Sequence, residues 1–288
     1  MDKVLLFGVN GFLGSHFVEY INKNKLFKNY NFIACYRSNF TKYDFIDDYI
    51  KCDITNQKDV IKVILKCNPS YILNFAGTYH TNDFSELYKQ NVIGTKNILD
   101  AIINAKCPLK KIVLLGSAAE YGISEKLPIK EYYKKKPVTK YGLSKLFQSE
   151  LLHFFYENYK LPYCQAIIYN VIGDHMPVDL SIGNFAMQIN NSRNGDIISV
   201  GNLNTYRDFI TVKNLCESLW LLLIYGKKGE AYNVCSGKPT KIQTVLNKLI
   251  RSSRKKLKIQ VEQKNIKSND VKIIFGSNAK LKKLINNL

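Results

Sequence analysis

Tyr141-Gly142-Leu143-Ser144-Lys145 opens a stretch of helical periodicity running over Lys140–Tyr159. Tyr141 and Lys145 are therefore i, i+4 neighbours on one helix face. A free phenol titrates near ~10, too high to trade protons readily at neutral pH, and a nearby ammonium favours its ionised form. Such a pair can pass a proton to or from a substrate oxygen. The same spacing also occurs on ordinary helix faces, so the chemistry needs a third group. The strand-like run Lys111–Gly116 delivers one, Ser117, at its carboxyl end. Ser117 would hydrogen-bond the reacting oxygen while Tyr141 gives or takes its proton.

A second constellation lies at the start of the chain. The apolar run Lys3–Phe7 enters Gly8-Val9-Asn10-Gly11-Phe12-Leu13-Gly14, and helical periodicity follows to about Asn22. Glycines in such a turn permit positive φ and close approach of a pyrophosphate, which then faces the N–H groups opening a helix. Between a strand and a helix this is a dinucleotide fingerprint. A carboxylate ending the second strand would bind the ribose 2′-hydroxyl and repel a 2′-phosphate. That strand, Asn31–Tyr36, ends instead in Cys35-Tyr36-Arg37-Ser38. Arg37 and Ser38 suit a 2′-phosphate, so NADP(H) is preferred and NAD(H) stays possible.

These residues need a rigid frame, and the patterning provides one. Strand signals recur at Tyr71–Phe75, Lys111–Leu115 and Tyr163–Tyr169, with amphipathic stretches Gln57–Lys66, Phe84–Asn104 and Lys140–Tyr159 between them. Continuous apolar strands alternating with helices predict an α/β fold: a Rossmann-type doubly wound parallel sheet covered on both faces. After residue 170 the elements shorten: helices near Ile182–Ser192, Val212–Tyr225 and Ile242–Ser252, and strands near Ile197–Val200 and Ala231–Cys235. The expectation is a dinucleotide-binding domain over 1–170 and a smaller α/β substrate lobe over 171–288, partly interleaved with the first.

Composition narrows the class. The 288 residues are 46% hydrophobic and 23% charged, which excludes disorder, collagen and a small disulfide scaffold. No apolar run approaches the roughly 20 residues that span a bilayer, and the N-terminus reads as a buried strand, not a signal peptide. The expectation is a soluble cytoplasmic protein. Lys+Arg 42 against Asp+Glu 23 gives a formal charge of +19. The basic residues are spread out, and the densest runs, Lys134-Lys135-Lys136 and Arg254-Lys255-Lys256, are short. Clustering marks a nucleic-acid site better than total charge does, so that partner is disfavoured. Seven cysteines without a C-x-x-C pair fit reduced thiols, and four histidines without ligand spacing disfavour zinc.

The motifs resemble those of the extended short-chain dehydrogenase/reductase family, from Lys3 to about residue 285. The G-x-x-G-x-x-G turn matches, as does the order Ser117, Tyr141, Lys145. Asp53-Ile54 is similar to the family's adenine-contacting pair, and Asn74-Phe75-Ala76-Gly77 to the loop beneath the adenosine and ribose. Asn91-x-x-Gly94-Thr95-x-Asn97 is similar to the helix start behind the active site. The resemblance implies that Gly8, Asn10, Gly11, Phe12, Leu13 and Gly14 hold the cofactor together with Tyr141 and Lys145. It also implies that Ser117, Ala118, Ala119, Asn170 and Arg207 meet a nucleotide sugar, and that two copies pair through the helices at Phe84–Asn104 and Lys140–Tyr159.

Within the family, 4,6-dehydratases carry acidic or polar–acidic residues just after the Ser/Thr. Here those positions are Ala118 and Ala119, and Glu120, on a continuing strand, would point away. Dehydration is thereby disfavoured, leaving ketone reduction or epimerisation through a transient ketone. Asn170-Val171-Ile172-Gly173, Tyr206-Arg207-Asp208-Phe209-Ile210, Tyr232–Gly237 with Ile242-Gln243, and Ser268-Asn269-Asp270-Val271 resemble most the GDP-4-keto-6-deoxy-D-mannose reductases, which make GDP-D-rhamnose. Arg207 would pair with the substrate pyrophosphate, or form a structural pair with Asp208. The family usually continues beyond Lys280–Leu288 through a Trp/Pro segment and a last helix, which implies a trimmed substrate lobe or an unusual sugar. The expected activity is NADPH-dependent reduction of a nucleotide-linked 4-keto-6-deoxy sugar. The alternatives are a 4-epimerase retaining NAD, and a catalytically silent protein that senses NADP(H) or binds nucleic acid.

Overall fold

The computed structural model describes residues 1–38, 41–265 and 271–288. Seven parallel strands form its centre: β1 (Asp2–Phe7), β2 (Tyr30–Tyr36), β3 (Asp48–Lys51), β4 (Tyr71–Asn74), β5 (Lys111–Ser117), β6 (Tyr163–Ile168) and β10 (Glu230–Val234). Their spatial order is β10-β6-β5-β4-β1-β2-β3. The order reverses beside β1, which opens a crevice at the carboxyl ends of β1 and β4 where such sheets bind ligands.

Alternate residues of one strand enter opposite layers, which is why the strands carry no polar face. Val4, Leu6, Phe32, Ala34 and Val113 pack with helices α1 (Phe12–Lys23) and α7 (Val212–Tyr225). Leu5, Phe7, Ile33, Ile72 and Leu114 pack with α2 (Gln57–Cys67), α4 (Gly94–Asn104) and α5 (Lys140–Tyr159). The fully buried Leu5 and Leu6 lie in different cores for this reason. β10 and α7 come from beyond residue 170 yet belong to the sheet's edge and one of its faces.

The remaining elements cover the carboxyl edge. β9 (Tyr206–Thr211) pairs in parallel with β7 (Asn170–Ile172) and β13 (Ile273–Ile274), and antiparallel with β11 (Pro239–Lys241). β8 (Ile197–Val200) pairs with β12 (Lys258–Val261). Helices α6 (Ser181–Asn191) and α8 (Ile242–Ser253) enclose a third core around Ile182, Phe185, Ile198 and Leu246. A last helix, α9 (Ala279–Ile285), lays Leu281 against the core of α1 and α7.

Two expectations need correction. The stretch Phe84–Asn104 is not one helix: α3 (Phe84–Leu87) passes through a wider π-type turn, Tyr88–Ile93, before α4 begins. The turn buries Asn91, whose carbonyl accepts from Thr95 Oγ1 at 2.7 Å, and such widened turns recur at functional sites. The second concerns Glu120. β5 does not continue past Ser117; the chain tightens into a 3₁₀ turn, Ala118–Glu120. Glu120 therefore folds back under Ser117 instead of projecting from a strand.

Candidate active site

The glycine turn has the form of a pyrophosphate cradle. Gly8 has φ +77°, and a Cβ there would lie 2.6 Å from Ala76 N; a Cβ on Gly14 would lie 2.2 Å from the Gly8 carbonyl. Both are close approaches that a side chain would forbid. Gly11 caps α1 without a side-chain bond, and Ser15 N makes a bond to Gly11 O at 2.9 Å. The N–H groups of Phe12, Leu13 and Gly14 thus open the helix without an intrahelical acceptor, and the first turn carries no acidic side chain. An anion fits these donors. Gly11, with only Gly8 O within 4 Å of a built Cβ at 3.5 Å, marks the open side of the cradle. Asn10 lines a cavity of about 320 Å³ beside the turn, with Ser15, Tyr43 and Tyr49.

The adenosine side is assembled from strand ends. Arg37 and Ser38 are exposed just past β2. Asp53 Oδ1 accepts from the Thr55 N–H and hydroxyl, both at 2.9 Å, which shapes the turn before α2. The Ile54 side chain is buried against α4, where a Cβ on Gly94 would touch it at 2.5 Å. Phe75 turns its ring to Phe17 at 5.3 Å, so Phe75-Ala76-Gly77 offers the crevice mainly backbone. Gly77 lies close under Asn91, 2.8 Å from a built Cβ to Asn91 Oδ1.

The candidate proton-transfer residues converge at the end of β5. Thr139 caps α5 by accepting from Gly142 N at 3.0 Å, which places Tyr141 in the first turn. Gly142 lets that turn meet the 118–120 segment, because a Cβ there would be 2.4 Å from Ala119 O. Burial pushes the Tyr141 phenol up to about 12; the neighbouring Ser117 side chain opposes this and the Glu120 charge adds to it. Burial pushes Lys145 down to about 8, against the attraction of Glu120. Lys145 is 7% exposed, and its ammonium donates to Gln148 Oε1.

Several participants escape sequence inspection. Gln148 Nε2 donates to Thr95 Oγ1 at 2.7 Å, so α5 is tied through Thr95 to the Asn91 carbonyl. Asn91 Nδ2 donates to Thr78 O at 2.9 Å and Ser144 Oγ at 3.0 Å. Across the crevice His80 bonds Asp179, and the Tyr79 ring stands 6.4 Å from that of Tyr141. Burial, and then the Asp179 charge, raise the Tyr79 phenol. Asn91 and Thr95 belong to the helix-start motif already read in the sequence; of the others, only Gln148, three residues after Lys145, carries a spacing signal that could have found it.

On the other side of the crevice, Asn170 Nδ2 donates to Asp208 O at 3.3 Å. Arg207 Nη1 donates to the carbonyls of Tyr206 at 2.9 Å and Val271 at 2.6 Å. The Asp208 carboxylate is fully buried and accepts from Ser236 N at 2.7 Å, Ser236 Oγ at 2.6 Å and Gly237 N at 2.9 Å. Asp208 thus ties β9 to the loop after β10. Positions 268–270 of the motif ending at Val271 lie outside the described residues. No helix among the described residues is long and apolar enough to cross a membrane, and all seven cysteines are unpaired.

The chain matches the family described as GDP-mannose 4,6 dehydratase over residues 5–286. It is 22% identical, over 99% of its length and 92% of the relative's, to GDP-6-deoxy-D-talose 4-dehydrogenase of Aggregatibacter actinomycetemcomitans. It is 28% identical, over 74% of its length and 73% of the relative's, to GDP-6-deoxy-D-mannose reductase of Pseudomonas aeruginosa. Among solved structures it resembles the Pseudomonas aeruginosa RMD complex with NADPH, with a TM-score of 0.83, 22% identity and coverage of 99% and 93% of the two chains. The Thermus thermophilus UDP-glucose 4-epimerase complex with NAD is similar too, with a TM-score of 0.84, 20% identity and coverage of 98% and 92%. With the glycine cradle and the Ser–Tyr–Lys set on a Rossmann sheet, the chain belongs to the GDP-mannose 4,6-dehydratase family of extended short-chain dehydrogenases/reductases, which are NAD(P)-dependent nucleotide-sugar enzymes.

Proposed function

We propose that this protein reduces the C4 ketone of a nucleotide-linked 4-keto-6-deoxy sugar, GDP-linked by preference, with NADPH as reductant. One observation carries the reading. Ser117 stands beside Tyr141 at the crevice and favours its phenolate, while the two positions following Ser117 are Ala118 and Ala119. Neither alanine can move a proton, and the carboxylate of Glu120 is engaged by Ser117 N, Ser149 and Lys135 beneath the site. Tyr141 can give a proton to one oxygen, and the two positions that follow Ser117 offer no group to help expel water.

The chemistry a nicotinamide cofactor would supply when bound here is a hydride for the carbonyl carbon. Ser117 Oγ donates to the carbonyl oxygen and orients it. Tyr141 delivers its proton as negative charge builds on that oxygen, so hydride and proton together turn ketone into alcohol. Lys145 places an ammonium one helical turn from Tyr141, favouring the phenolate left behind, and supports the nicotinamide ribose. The first-turn N–H groups of α1 hold the cofactor pyrophosphate, with Arg37 and Ser38 at its 2′-phosphate. Asn170 and Arg207 border the nucleotide-sugar side. We further infer a homodimer through α5 and the Tyr88–Ile93 turn, where Tyr88, Phe147 and Phe154 remain 39%, 38% and 52% exposed.

The test supplies GDP-4-keto-6-deoxymannose from a separate dehydratase and follows loss of NADPH or NADH. Substrate-dependent oxidation, abolished in Tyr141→Phe, is the expected result. Full turnover by Tyr141→Phe would sink the mechanism. Conversion of a nucleotide sugar without added reductant would replace reductase by 4-epimerase, a reaction of the same three residues. Silence in both assays, with tight salt-sensitive DNA binding, would favour a non-enzymatic role.

A further inference from the structure

Glu120 is fully buried and has no part in the reaction as written above. Its Oε1 accepts from Ser117 N at 2.8 Å, and its Oε2 accepts from Ser149 Oγ and Lys135 Nζ, each at 2.6 Å. Gln165 Nε2 donates to Ser149 Oγ at 2.6 Å and closes the cluster from β6. The chain makes room for this carboxylate. Gly116 stands directly beneath, where a Cβ would lie 2.8 Å from Glu120 Oε1 and 2.5 Å from Gln165 Nε2. A neutral amide could accept from Ser117 N equally well, and burying a charge is costly. The cap alone therefore gives no reason for an ionised side chain here.

The reason lies in what surrounds it. From the loop after β5 come Lys135 and Tyr121, with the Lys135 ammonium 6.0 Å from the Tyr121 ring centroid. From α5 come Ser149, Tyr141 and Lys145, and from β6 Gln165. We propose that Glu120 is a positioning residue: its carboxylate fixes Ser117 at the end of β5 and presents one negative charge to Tyr141 and Lys145 from the interior between β5, β6 and α5. This deepens the assignment of Ser117, Tyr141 and Lys145 as the proton-transfer set. Burial drives Lys145 toward its neutral form, and the Glu120 charge opposes it, so the ammonium survives at neutral pH. Burial raises the Tyr141 phenol and the same charge adds to it, on the side of the protonated form a reductase needs before hydride arrives.

The experiment reads Lys145 directly and without substrate, so it is independent of whether the sugar assay succeeds. Protein labelled with carbon-13 at lysine Cε is titrated by NMR, the Lys145 signal being identified by its loss in Lys145→Arg. In Glu120→Gln the Lys145 midpoint should fall by about half a unit or more. In Lys135→Gln, which leaves the Glu120 charge in place, it should not fall. An unshifted midpoint in Glu120→Gln, or an equal fall in both variants, overturns the proposal. Should Glu120→Gln not fold, carbon-13 at the Glu120 carboxylate decides in the unaltered chain, assigned by its displacement in Lys135→Gln. Its shift should inflect at the Lys145 midpoint, and a flat trace there overturns the proposal. A working turnover assay adds a second signature: the alkaline limb of kcat/KM moves to lower pH in Glu120→Gln while substrate KM stays within about threefold, where a packing defect alone would lower kcat at every pH.

Discussion

The Lys145 ammonium is held by the side-chain oxygen of Gln148, one turn further along α5, and Gln148 is itself held by Thr95 at 2.7 Å. A buried ammonium with a fixed acceptor points in one direction only. Gln148→Leu should therefore lower kcat about tenfold, the effect of roughly 1.5 kcal/mol for one hydrogen bond to a charged group. Steady-state kinetics would show it, and an unchanged kcat would mean that Lys145 is oriented by other contacts.

Gly14 and Gly11 should respond differently to alanine. At Gly14 the new Cβ would stand 2.2 Å from Gly8 O, so α1 must shift, at a cost of about 2 kcal/mol or more and with loss of dinucleotide binding. At Gly11 the nearest atom is 3.5 Å away, an ordinary contact. Gly11→Ala should melt within a few degrees of the parent yet bind NADPH more weakly. Thermal melts and fluorescence titration separate the two, and equal loss of stability in both would contradict this geometry.

Arg37 is exposed at the end of β2 with Ser38 beside it. A charge-assisted bond to a 2′-phosphate contributes about 1.5–3 kcal/mol. Arg37→Gln should raise the NADPH dissociation constant roughly 10- to 100-fold and leave that of NADH nearly unchanged. An unaltered ratio would assign the phosphate to another residue.

Burial holds Lys145 at about 8, below the 10.5 of a free lysine. Between those values the unfolded chain binds more protons than the folded one, so stability from this residue rises with pH. The cost of its buried charge is complete below pH 8 and relieved by about 10.5. Lys145→Met removes that dependence. Its stability relative to the parent should be greatest below pH 8 and decline, by on the order of 3 kcal/mol, toward pH 10.5. Denaturant melts across that range would check it; a constant difference would show that Lys145 titrates normally.

Phe154 is 52% exposed beside Phe147 and Tyr88, on the surface assigned to the dimer. A two-fold interface uses the same patch twice, so one charge enters it twice. Phe154→Glu should give a folded monomer by light scattering. A dimer that persists would move the interface elsewhere.

The layered sheet was legible because its strands are local apolar runs: Val4, Leu5, Leu6 and Phe7 are all fully buried, and no other packing satisfies so continuous a run. The cradle and the order Ser117, Tyr141, Lys145 were legible for a similar reason, since each is set by a turn or by one helical period. The short strands β3, β7, β9, β11, β12 and β13 carry almost no local signal, because their partners are distant in sequence. Amphipathic periodicity across 84–104 likewise could not reveal the widened turn at Asn91, where hydrogen bonds to Thr78 and Ser144 hold a local irregularity.

Glu120 shows where sequence reasoning stops. On an extended strand its side chain would face away from the site; the Ser117-x-x-Glu120 spacing of a capping box is the local sign of the tight turn, and the strand reading passed over it. The turn exists because Ser117 and Glu120 cap one another, and because Ser149 and Lys135, both well separated in sequence, arrive to share the carboxylate. Sequence alone singled out the candidates for moving a proton and holding a pyrophosphate, since those depend on residue type and near-neighbour spacing. Tertiary structure decided how each is charged and aimed, because burial and long-range hydrogen bonds depend on segments that meet only once the chain has folded.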